Sequence, residues 1–241
     1  MKPHRNFIRV YVWELPVRLT HWINAACIVV LGVSGYLIAH PPGYLTATEA
    51  SFGYWFGIIR FTHFVAAYVF VVALLARIYW AFVGNKFAHW RSFMILTPTK
   101  LKEAIRVAKI EIFQVSDEPI EPLGHNAVSS FTYGVLFLLA IFQVVSGFGL
   151  YSAMSQAWPA RSFSWVMPLF GSEQTLRSFH YAANWLFILF TIVHVYMVFY
   201  TDYVDGHGGL SGIISGWKFM DKRPEAVLPA PASPQPTPPA Q

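Results

Sequence analysis

Histidine and cysteine are the side chains in this 241-residue chain best suited to hold a metal, and their numbers are lopsided: nine histidines and a single cysteine, Cys27. One cysteine excludes a disulfide framework and a cysteine-built zinc or iron–sulfur site. The histidines are His4, His21, His40, His63, His89, His125, His180, His194 and His207. His180 and His194 are fourteen residues apart. At about 100° per residue, fourteen steps fall only about 40° short of four full turns, so on one helix they share a face. A rise of 1.5 Å per residue separates them by about 21 Å along the axis.

Four apolar segments can position these residues. They run from Trp22 to Ala39, Phe61 to Val83, Val128 to Tyr151 and Phe179 to Tyr200. Each is long enough to cross a hydrocarbon core as a helix. The composition agrees: 55% hydrophobic, 12% charged, mean hydropathy +0.44. Soluble domains carry about 25% charged residues, so a soluble or disordered chain is excluded. The expected fold is all-α, a polytopic four-helix membrane bundle. The first apolar run reads as a retained helix, because no convincing small-residue cleavage site follows it.

Charge sets the orientation. Of the 17 Lys and Arg residues, only Arg60, Arg161 and Arg177 fall on the side opposite the termini. The positive-inside rule then expects both termini in the cytoplasm, and the net charge of +5 reads as topology and not as a nucleic-acid surface. Between the second and third spans, Leu101, Ile105, Ala108, Ile112 and Val115 recur at helical spacing. This predicts a cytoplasmic interfacial helix, on the membrane surface or packed on the protein. Residues 1–223 are expected to form the membrane domain, and the Pro/Ala-rich 224–241 a disordered tail.

Depth now pairs the histidines. His21 opens the first span near the inner surface, and His63 opens the second near the outer surface. His180 opens the fourth span, also near the outer surface, with His194 near the inner. The expected pairs are His63/His180 outside and His21/His194 inside, each drawn from two helices. Two imidazoles facing across a flat cofactor suit a six-coordinate haem iron with no open site. Zinc would want about four ligands at one depth, and each depth offers two. No C-x-x-C-H occurs, which leaves non-covalent b-type haem. A single such histidine also reads as an interfacial anchor or core residue. Gly32, Gly35, Gly134, Gly147 and Gly149 would let a cofactor or a neighbouring helix approach.

The motifs resemble a known family. Arg18-Leu-Thr-His21-Trp22 with Gly32-x-x-Gly35, and Arg177-Ser-Phe-His180 with Trp185, Phe190 and His194, resemble the two signatures of the cytochrome b subunit of membrane-bound nickel–iron hydrogenases, a dihaem family related to the formate dehydrogenase cytochrome b subunit. Arg60-Phe-Thr-His63-Phe, Arg77 through Asn85, Gly124-His125-Asn126, Gly147 through Tyr151 and Ser215-Gly-Trp-Lys218 are similar to it as well, so that residues 9 to 220 are covered. Tyr181, Ala182 and Ala183, and a lone acid at Asp202, depart from the family pattern without touching the histidines.

The resemblance implies a non-catalytic electron-transfer subunit of a hydrogen:quinone oxidoreductase in the bacterial inner membrane. It would anchor a periplasmic hydrogenase, take electrons from its iron–sulfur small subunit beside the nickel–iron large subunit, and pass them through two haem b groups to quinone. Arg60 and Arg177 stand three residues before the outer histidines, within reach of haem propionates or of the interface. His125 and Asn126 read as a helix-capping loop or as quinone contacts. Other readings are a dihaem cytochrome of formate dehydrogenase or thiosulfate reductase, a structural anchor, and a haem-free proton-relay transporter. The absence of Asp and Glu from the four spans counts against the last.

Overall fold

The computed structural model describes residues 7–43, 53–93, 102, 127–205 and 208–221. Four long helices dominate it: α1 (Leu15–Ala39), α2 (Trp55–Val83), α3 (Ala127–Ser152) and α4 (Glu173–Asp205). A seven-residue helix, α5 (Gly209–Ser215), and two strands, β1 (Phe7–Tyr11) and β2 (Trp217–Asp221), complete one end. All four long helices are apolar and long enough to cross a membrane.

The helices start earlier than the apolar runs. Pro16 lies in the first turn of α1, where its missing N–H costs nothing. The Ser172 hydroxyl accepts a bond from the Thr175 N–H at 3.1 Å, an N-cap that starts α4 six residues before Phe179. Hydropathy marks where lipid would begin, whereas hydrogen bonding and capping decide where the helix begins. His21, His63 and His180 therefore lie one to two turns inside their helices and do not open them.

Side chains in mid-span point outward as often as inward. Val29, Val72, Leu138 and Ile192 are each more than half exposed on the bundle surface, an apolar exterior that lipid accommodates and water does not. The interior is narrow. Cys27 of α1, Phe70 and Leu74 of α2, Ala140 of α3 and Phe187 of α4 form one buried cluster, with a contribution from every span. The main packing runs α1 on α2, α3 on α4 and α1 on α4.

One end is closed by the chain's own terminal segments, which the sequence reading left without structure. β1 and β2 pair antiparallel, from Phe7 opposite Asp221 to Tyr11 opposite Trp217. A lone two-stranded pair is marginal in water, and here it is pinned. The N–H groups of Val12 and Trp13 donate to Gly216 O at 2.8 and 3.1 Å. Gly216 has φ 90°, and a Cβ there would lie 2.7 Å from Trp13 O. Below the strands Val12, Trp13, Val17 and Ala88 form a second buried cluster with Trp80 and Ile213. The segments flanking both termini therefore lie at one end of the bundle, beside the end of α2. The expected helix over 101–115, apart from Lys102, lies outside the described residues, as do His125, Asn126 and the tail from 224.

Candidate haem-binding sites

The four histidines occupy two levels of the bundle. At the level nearer the β-pair, His21 of α1 and His194 of α4 face one another with ring centres 6.3 Å apart and planes 55° apart. Imidazole nitrogens bind metals at about 2 Å, which places two opposed nitrogens about 4 Å apart. The remainder of 6.3 Å is two ring radii, so one metal fits between these rings. Phe190, one turn before His194, stacks on its ring at 5.2 Å, and Trp22 stands edge-on to His21 at 5.3 Å.

At the far level His63 of α2 lies within electrostatic reach of His180 of α4. Each is held by the helix beside it. Ser34 Oγ of α1 is 2.9 Å from His63 Nδ1, and Ser146 Oγ of α3 is 2.8 Å from His180 Nδ1. The residue after each serine is glycine. A Cβ at Gly35 would come within 3.4 Å of His63 Cε1, and one at Gly147 within 3.2 Å of His180 Cε1. The ring lies against the backbone at both glycines, tightly at Gly147 and in ordinary contact at Gly35.

The sequence reading did not single out these serines. Within a span, serine usually bonds to its own helix, and both do so. Only a repeat exposes them. Val33-Ser34-Gly35-Tyr36 on α1 returns as Val145-Ser146-Gly147-Phe148 on α3, and Arg60-x-x-His63 on α2 returns as Arg177-x-x-His180 on α4.

The donor set suits haem. Two imidazoles stand at each level, and the described residues hold no cluster of three or more His, Cys, Asp or Glu that a protein-bound metal ion would use. Some buried polar atoms in the spans also lack a hydrogen-bond partner among the described residues: His21 Nδ1, Asn24 Oδ1, Gln143 Oε1 and Asn184 Nδ2. Such atoms are costly in an apolar interior and point to an unseen occupant or water between the helices. Asn184 was also absent from the sequence reading. It is half-buried between the two histidine levels of α4, with its Oδ1 against Gly32 of α1.

The arginines have partners within the fold. Arg177 pairs with Glu173 one turn earlier on the exposed surface. Arg60 donates to Met154 Sδ at 2.8 Å. Arg18 donates to the carbonyl of Ile214 and so ties α1 to α5.

Comparison with known proteins identifies the family. The chain is 39% identical to a probable Ni/Fe-hydrogenase B-type cytochrome subunit of Cupriavidus necator over 214 residues, covering 86% of each chain. It is 38% identical to the corresponding Azotobacter vinelandii subunit over 231 residues, 92% of this chain and 93% of the relative. For the Escherichia coli K12 subunit of Ni/Fe-hydrogenase 1 the identity is 34% over 220 residues, 88% and 92% of the two chains. The family profile described as prokaryotic cytochrome b561 matches residues 12–216, from the strand-to-helix corner through all four spans, and the chain belongs to that family.

Proposed function

We propose that this chain is the haem-carrying membrane subunit of a hydrogen:quinone oxidoreductase. In this reading it binds two haem b groups, one between His63 and His180 and one between His21 and His194. It anchors a periplasmic nickel–iron hydrogenase through that enzyme's iron–sulfur small subunit. When bound, the haems would supply reversible one-electron storage, held by these four imidazoles. Electrons enter at the far level, leave at the level near the termini, and reach membrane quinone.

The observation that carries the reading is the His21–His194 pair: two imidazoles from different helices, 6.3 Å apart, fourteen residues along α4 from a second histidine within electrostatic reach of His63. The protein's own part is positional. α4 supplies one ligand at each level, so the separation of the two sites is set by about four helical turns, roughly 21 Å. With one cysteine, nickel and iron–sulfur chemistry must reside in partner subunits.

The test is a difference spectrum of membranes holding the complex, hydrogen-reduced minus oxidised, with dithionite as the full-reduction reference. A b-type signal under hydrogen is expected in the wild type. His63→Ala should lose one haem per chain and abolish quinone reduction with the hydrogenase still active toward an artificial acceptor. Two haems retained in that variant would refute the ligand assignment. A signal under dithionite alone, beside an active hydrogenase, would refute the donor.

A further inference from the structure

The two far-level histidines are held alike, and the hydrogen atoms can be assigned. Ser34 Oγ lies 2.6 Å from Val30 O, and Ser146 Oγ lies 2.7 Å from Phe142 O. A carbonyl oxygen cannot donate, so contacts this short require the serine proton on the carbonyl side. A hydroxyl has one proton. Toward the histidine each serine can then only accept, and His63 Nδ1 and His180 Nδ1 must be the donors at 2.9 and 2.8 Å. Both rings are thereby fixed as the tautomer whose unprotonated nitrogen is Nε2, the one left to face a metal.

The other level differs. His21 Nδ1 is buried with no hydrogen-bond partner among the described residues, and the neighbours of the His21 and His194 rings are the aromatic Trp22 and Phe190. A ligand imidazole that donates its second N–H becomes more basic. A more basic ligand favours the higher charge of oxidised iron.

We infer that Ser34 and Ser146 are positioning residues that lock the His63 and His180 tautomers and lower the reduction potential of the far haem. A lowered far potential favours release of an electron from that level, a bias built into hydrogen bonds. This rests on the two-haem reading proposed above. In a transfer step the far iron goes from ferrous to ferric and the near iron from ferric to ferrous, with no other reactant.

The test is potentiometric titration of the purified complex, read at the haem α-band, for wild type, Ser34→Ala, Ser146→Ala and the hydroxyl-retaining Ser34→Thr and Ser146→Thr. The far midpoint is identified as the one abolished by His63→Ala. Each alanine variant should shift that midpoint upward and leave the other in place, the double variant should shift it further, and the threonine variants should stay near wild type. Two haems retained with unmoved midpoints would overturn the inference and leave the ligand assignment standing. Loss of the far haem in alanine variants but not threonine variants supports the hydroxyl's role, and loss in both overturns it. Two unchanged midpoints in His63→Ala would remove the ligand assignment itself, and the inference with it.

Discussion

The contacts that decide ligand position are a few tenths of an ångström wide. A Cβ at Gly147 would meet His180 Cε1 at 3.2 Å, whereas one at Gly134 on the same helix would meet nothing within 4 Å. Gly147→Leu should therefore push the His180 ring off its site. Haem per protein should fall to about half by pyridine haemochrome, with the His21/His194 haem retained, because overpacking displaces a side chain that has no other room. Gly134→Leu should keep full haem content, and equal loss in both would show a general packing effect and not a ligand contact. At this scale the sequence was legible in part. Metal-ligating type and helical spacing pick out His180 and His194, since the period of a helix is fixed. Ser34, Ser146 and Asn184 were not legible, because their roles come from a neighbouring helix whose rotation no single segment encodes.

Helix ends, unlike spans, are set by polar networks. Asn85 follows the end of α2 and closes it against the chain's first segment. Its Nδ2 donates to Val12 O at 3.0 Å, and its Oδ1 accepts from the N–H groups of Phe87 and Ala88 at 3.0 Å each. Glu14, just before α1, accepts from Trp80 Nε1 at 2.8 Å and from the Asn85 N–H at 2.9 Å. Each bond contributes about 1 kcal/mol net, more where loss leaves a buried group unpaired. Asn85→Ala removes three of them and should cost about 2–4 kcal/mol. Trp80→Phe removes one and should cost about 1 kcal/mol. Thermal loss of the Soret band in detergent should rank Asn85→Ala below Trp80→Phe below wild type, with unchanged spectra at low temperature. Equal melting points would mean that the corner is not coupled to the bundle. The four spans were evident from hydropathy, but this corner was not. Its strands lie some 200 residues apart, and five-residue segments such as FIRVY have no partner until the bundle brings one.

The whole molecule is two similar helical hairpins, α1–α2 and α3–α4, whose repeat holds at one level and fails at the other. Thirteen residues before Ser34 stands His21, but thirteen before Ser146 stands Tyr133. Fourteen after His180 stands His194, but fourteen after His63 stands Arg77. Where the repeat would put a second facing pair of imidazoles, the Arg77 guanidinium lies 5.3 Å from the centre of the Tyr133 ring, a cation–π contact that fills the opposite diagonal. In the two-haem reading proposed above, the electron path would be one-sided at the end that carries the β-pair. Which membrane face that end meets follows from charge, and the lone cysteine makes it measurable. Cys27 is 6% exposed inside the bundle, so it should stay silent to a membrane-impermeant maleimide. Trp158, 80% exposed between α3 and α4, should label from outside intact cells when replaced by cysteine. Ile8→Cys and Phe219→Cys, on the two paired strands, should label only after lysis. Labelling of those two from opposite sides would break the strand pairing. Labelling of both from outside would invert the orientation and, with it, the direction in which electrons must run.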